Sequence, residues 1–224
     1  VRIEQFFEKD QTTHSQLKQD LFALYHRQDT PGYFVEFGAL DGVDTSNTLL
    51  LEREHGWTGI LCEPLPRFRD DLLKNRTCVV DTRCVYSESN QLISFGEVED
   101  FPAISTMIAH KDQASVWKDR RQKHKVHEFL TVSLDDLLDQ YEAPAVIDYL
   151  SIDTEGSEYP ILKSYSFKRN FNTMSVEYTN PEEREKIHTV LTENDYTRVH
   201  RNLSQWEDWY AYRPWYIEKY GVNF

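Results

Sequence analysis

Carboxylates recur at one kind of place in this sequence, just beyond a short apolar run. Val35-Glu-Phe-Gly38-Ala-Leu-Asp41-Gly-Val-Asp-Thr-Ser-Asn47 follows the first run and Glu63-Pro64 the second. Asp153-Thr-Glu155-Gly-Ser-Glu158 and Glu177-Tyr-Thr-Asn180 follow two later ones. In an open α/β sheet, ligands bind outside the carboxyl ends of the strands, so these are the positions where chemistry is expected. Gly38 and Ala39 leave room for a ligand close to the backbone, and the helix start behind them favours a carboxylate or phosphate. Glu36 and Asp41 are poor company for a pyrophosphate but suit a ligand bearing an ammonium and a sulfonium. The spacing Gly38-x-x-x-Gly42 also departs from the dinucleotide pattern Gly-x-Gly-x-x-Gly. Glu63 lies about 20 residues further on, where an acid accepts both hydroxyls of a ribose.

Asp153, Glu155 and Glu158 crowd three acids at one strand end, which is costly unless they meet a cation, a proton or water. Glu158 has a partial explanation in the dipole of the helix it opens. Together with Glu177 these acids form the candidate catalytic set. A crowded carboxylate has a pKa raised toward neutrality and suits general-base work on a hydroxyl. Asp153 is the first choice for that base and Glu177 the second. Two other uses stay open: holding acceptor hydroxyls without moving a proton, or binding Mg²⁺ through Asp153 and Glu177 with Asn180 nearby. The histidines show no ligand spacing, and there is no Gly-x-Ser-x-Gly elbow or Cys-x-x-Cys pair, which disfavours a hydrolase and a zinc site.

The elements that must position these residues alternate strand and helix, the pattern of a mostly parallel sheet covered by helices. Strands are predicted at Tyr33–Phe37, Trp57–Cys62, Thr77–Val80, Val146–Ile152 and Asn172–Tyr178. Helices are predicted at Ser46–His55, Pro66–Asn75, Ser133–Gln140, Ser157–Ser164 and Pro181–Asn194. Tyr196–His200 and Trp209–Arg213 read as a closing antiparallel hairpin. Residues 1–32 form an N-terminal helical extension, 84–132 hold short strands and a long loop, and 99–130 read as a lid or insertion with a helix near Ala114–Lys123. No linker divides the 224 residues, so a single domain is expected.

The net charge of −13 disfavours a nucleic-acid partner, because a phosphate backbone repels it. The one basic cluster, Lys118–Lys125, reads as a solvated face or as a grip on an acidic substrate. No apolar run approaches the ~20 residues of a membrane span. Three cysteines, two inside apolar runs, read as reduced thiols of a cytoplasmic protein.

Four segments together resemble the FkbM-type methyltransferases: Tyr33–Thr48, Gly56–Pro64, Ile147–Leu162 and Ser175–Tyr178. Ser15–Asp20 and Ser133–Leu137 are similar to further stretches of that family. The resemblance implies a Rossmann-like class I methyltransferase fold, with a seven-stranded mostly parallel sheet ending in an antiparallel hairpin and helices on both faces. It implies S-adenosylmethionine as donor and a hydroxyl of a small molecule or carbohydrate as acceptor. Carried onto this chain, Glu36, Gly38, Ala39, Asp41 and Asn47 would border the donor's methionine end. Glu63 with Pro64 would hold the ribose, Cys84 and Val85 would lie near the adenine, and Asp153 near the sulfonium and the acceptor. An NAD-dependent enzyme and a non-catalytic Rossmann-like binding module are the rival readings.

Overall fold

The computed structural model describes residues 2–8, 12–27, 30–111, 119 and 122–222. Its main sheet has the order β10-β11-β9-β8-β1-β2-β3. These strands are β1 (Tyr33–Phe37), β2 (Thr58–Cys62), β3 (Val79–Asp81), β8 (Val146–Ile152), β9 (Asn170–Glu177), β10 (Tyr196–Val199) and β11 (Glu207–Tyr212). All neighbouring pairs are parallel except those made by β11, which runs antiparallel to both β9 and β10. The order reverses beside β1, so the ends of β1 and β8 open at the switch point where ligands collect.

Alternation along the buried strands feeds two cores. Val35, Phe37, Ile60 and Leu150 face one side with α5 (Leu134–Gln140), α6 (Glu158–Ser164) and α7 (Pro181–Glu193). Phe34, Leu61, Tyr149 and Trp209 face the other with α2 (Gln19–Arg27), α3 (Leu49–His55) and α4 (Arg69–Asn75). Helix ends follow local chemistry. Ser133 accepts the Asp136 N–H to cap α5, and Asn180 accepts the Glu183 N–H ahead of Pro181 to cap α7. The same bond engages the Asn180 side-chain oxygen, which the sequence places near a candidate Mg²⁺ site.

Residues 84–132 are more ordered than a long loop. They build a second sheet, β4-β7-β5-β6, from β4 (Cys84–Tyr86), β5 (Leu92–Glu97), β6 (Thr106–Met107) and β7 (Lys125–Ser133). Leu65, Cys84, Phe95 and Met107 pack beneath it as a small third core. The expected single loop over 99–130 therefore splits, with β6 and the start of β7 inside it. Most of the helix expected at Ala114–Lys123, along with Lys118, Arg120 and Arg121 of the basic cluster, lies outside the described residues. The aromatic tail carries one more helix, α8 (Arg213–Tyr220), packed on β11. The short α1 (Ile3–Phe7) and α2 form the N-terminal extension. No described helix is long and apolar enough to cross a membrane.

Candidate functional site

A cavity of about 810 Å³ opens at the carboxyl ends of the central strands. Of the residues singled out in the sequence, Glu36, Gly38, Asn47, Glu63, Pro64, Cys84, Val85, Asp153, Glu155 and Glu177 line it. Gly38 has φ +77°, and a Cβ there would sit 2.1 Å from the Asp153 carbonyl oxygen. The ends of β1 and β8 approach so closely only because that position has no side chain.

The first-strand loop divides its acids by role. Glu36 is buried, accepting the Asn47 N–H at 2.7 Å, hydroxyls of Ser46 and Thr48, and the charge of Arg76 at 3.8 Å. Burial nonetheless pushes its pKa up. It wires the loop to β1 while forming part of the wall. Asp41 turns back to accept the Val43 and Asp44 N–H groups, each at 2.9 Å, and Ala39 packs into the core. Neither is among the cavity-lining residues. Asn47 donates to Ser151 Oγ at 2.9 Å, and its own side-chain oxygen is buried with no hydrogen-bond partner. A buried acceptor left open in this way is where a donor group on a ligand would be held.

Glu63 sits at the end of β2, buried, accepting the Leu40 N–H at 3.0 Å and the Leu65 N–H at 2.8 Å. Burial pushes its pKa to about 7 against the pull of those two bonds. Each oxygen keeps a free lone-pair direction, which is what a vicinal diol needs.

The acids beyond β8 and β9 also separate. Glu158 accepts the Thr154 N–H at 2.7 Å, the Thr154 hydroxyl at 2.8 Å and the Gly156 N–H at 2.9 Å. It is fully buried, lies outside the cavity lining and closes the loop on itself. Asp153, Glu155 and Glu177 instead converge, with one carboxylate oxygen from each lying within 4.8 Å of the others. Burial, then the charges of Asp153, Glu155 and Glu158, push the Glu177 pKa well above the usual range.

Sequence reasoning missed several cavity residues. Gln16, Gln19, Thr45, Arg83 and Trp206 all line it. Glu207, buried on β11 opposite Glu177, adds a further acid, with its pKa pushed by burial to about 8. No short-range pattern marks these positions, because distant segments bring them to the sheet end.

The Methyltransferase FkbM domain matches residues 36–220. The chain belongs to the FkbM methyltransferase family. The resemblance carried by the strand-end motifs is thereby shown. Methyltransferase FkbM from Methylobacillus flagellatus KT is similar in structure, at 16% identity and a TM-score of 0.50, over 94% of this chain and 50% of that one. The chain thus spans half the length of that protein, and the likeness speaks for the fold alone. The O-methyltransferase from Bacillus cereus in complex with SAH matches at 12% identity and a TM-score of 0.45, over 93% and 87% of the two chains. Precorrin-6y C5,15-methyltransferase from Geobacter metallireducens GS-15 matches at 10% identity and 0.46, over 89% and 81%. No curated protein matches the chain.

Proposed function

We propose that this chain transfers the methyl group of S-adenosylmethionine to a hydroxyl oxygen of a small molecule or sugar, with Asp153 taking the hydroxyl proton. The observation that carries this reading is the convergence of Asp153, Glu155 and Glu177 within 4.8 Å in the cavity that Gly38, Asn47 and Glu63 also line. The donor residues fit that cofactor chemically. The open Asn47 oxygen suits an ammonium, Glu63 suits the ribose diol, and Cys84 and Val85 offer an apolar wall for a base. When bound, S-adenosylmethionine supplies an electrophilic methyl carbon.

The chain's own part is to orient the acceptor and handle its proton. Burial and its acidic neighbours raise the Glu177 pKa, which suits it to donating a hydrogen bond to the acceptor oxygen. The base role therefore falls to Asp153, and a positioned base is worth about 10²–10⁴ in rate. Glu155 and Glu177 hold the hydroxyl near it. Phe101–Ser105, inside the segment 99–130 assigned to a lid, lines the same cavity and belongs to acceptor recognition. Three free cysteines agree with a cytoplasmic setting.

Asp153→Asn tests the assignment. Turnover should fall about 10²–10⁴-fold, while affinity for S-adenosylhomocysteine (SAH) stays within about fivefold, roughly the 1 kcal/mol of one hydrogen bond. An unchanged rate removes Asp153 from the base role. A second reading rests on the same oxygen cluster, which matches the hard-ligand set of a divalent cation such as Mg²⁺. Asp153 and Glu177 would be its ligands, with Glu155 joining them, and the metal would lower the hydroxyl's pKa. Full activity after exhaustive chelation would eliminate that version.

A further inference from the structure

The matched domain begins at residue 36, yet two cavity-lining residues come from ahead of it. Gln16 lies in the turn that leads into α2 and Gln19 is the first residue of that helix, a stretch with its own fastening. Asp20 is fully buried, and its carboxylate accepts the Thr13 hydroxyl at 2.7 and 2.9 Å and the Ser15 hydroxyl at 2.7 Å. It also accepts the N–H groups of His14 at 3.1 Å and Leu21 at 2.8 Å. One side chain therefore gathers residues 13–21 into a compact knot. Lys18, at φ +67°, makes the reversal inside it and reaches back to the Phe7 carbonyl at 3.0 Å.

This knot touches the site on two sides. Ser15 forms a parallel bridge with Thr45, in the loop that carries Asn47. Thr45 itself lines the cavity. On the other side Gln19 has its oxygen fixed by the Leu17 N–H at 2.7 Å, which turns its NH₂ group away from the knot. It donates to Glu207 at 3.1 Å, beside the Glu177 end of β9. The knot thus spans from the loop after β1, where the donor's amino-acid end would lie, to the acid cluster where the acceptor would lie.

Resting on the assignment of the cavity to S-adenosylmethionine, we propose that residues 13–20 complete the binding site, with Gln16 and Gln19 on its wall, as a strap that must open before a ligand enters or leaves. A ligand held only while the strap is shut stabilises the shut state by the factor 1 + [L]/Kd. Opening detected by amide hydrogen exchange slows by the same factor.

Hydrogen exchange of the full chain with and without SAH, at a concentration about 100 times the Kd measured by calorimetry, tests this. Exchange at residues 13–19 should slow about 100-fold, together with the loop 38–47. In Thr13→Val, which removes a hydroxyl from Asp20 without changing side-chain size, exchange of the free protein at 13–19 should quicken. SAH should then restore its slowing. If SAH slows 38–47 and leaves 13–19 unmoved in both proteins, the strap is refuted while the donor assignment stands. If calorimetry shows no binding of SAH, the donor assignment and the strap both fall.

Discussion

Replacing Glu63 by Gln exchanges one carboxylate oxygen for an NH₂ group at a point where two backbone N–H groups converge. The parent side chain is 5% exposed, with the Leu40 and Leu65 N–H groups at 3.0 and 2.8 Å. Burial lifts its pKa from 4.5 to about 7. The folded protein therefore keeps a proton on Glu63 where the unfolded chain has lost it. Stability from this group is fully present below pH 4.5 and is lost as the pH rises through about 7. The rise is worth on the order of 3 kcal/mol at the conversion of ~1.4 kcal/mol per pH unit. Ligand binding carries the opposite sign, because a ribose diol donates to the ionised carboxylate. SAH affinity should climb about tenfold per pH unit up to neutrality and level off above it, following the ionised fraction. Glu63→Gln should remove both slopes and weaken SAH binding at pH 8 by about 1.5–3 kcal/mol, as for a hydrogen bond to a charged group. Urea melts without ligand and calorimetry with SAH, across roughly pH 5.5–8.5, measure the two effects. Glu158 and Glu207 also have raised pKa values, so the difference between parent and variant is the quantity that isolates Glu63. A parent whose SAH affinity ignores pH, or a variant that keeps the parent's slopes, would refute the reasoning.

Gly38→Ala should cost more than the ~1–3 kcal/mol of a strained backbone position, since its Cβ meets the Asp153 carbonyl at 2.1 Å. A denaturant melt reads that cost, and a parent-like midpoint would show that β1 and β8 can part. Arg76→Met leaves Glu36 and Glu52 without the guanidinium that now sits 3.8 and 2.6 Å from them. Breaking such a buried pair costs about 3–5 kcal/mol, and SAH binding should weaken as the 46–48 loop loosens.

The strand ends were legible in the sequence because a buried parallel strand is a local object. Tyr33–Phe37 and Val146–Ile152 are short apolar runs, and both appear in the structure with those bounds. The polar residues behind them must lie at the carboxyl edge of the sheet, whatever the rest of the chain does. What each acid does there was decided by tertiary structure. Glu36, Asp41, Glu158 and Glu177 look alike in sequence, since a carboxylate's role depends on which donors surround it. Asp41 and Glu158 are taken up by backbone N–H groups two to four residues away, and Glu36 is met by Arg76 from the far end of α4. Glu177 instead meets Asp153 and Glu155 across neighbouring strand ends, and these are left facing the cavity. The second sheet was hidden for a related reason. Its longer strands β5 and β7 are half-exposed and β6 has only two residues, so their pairing rests on partners up to 47 positions apart, as between Cys84 and Thr131 of β7. Gln16, Gln19 and Trp206 reach the cavity only because α2 and the hairpin of β10 and β11 pack beside the sheet end, a long-range placement that no local pattern encodes.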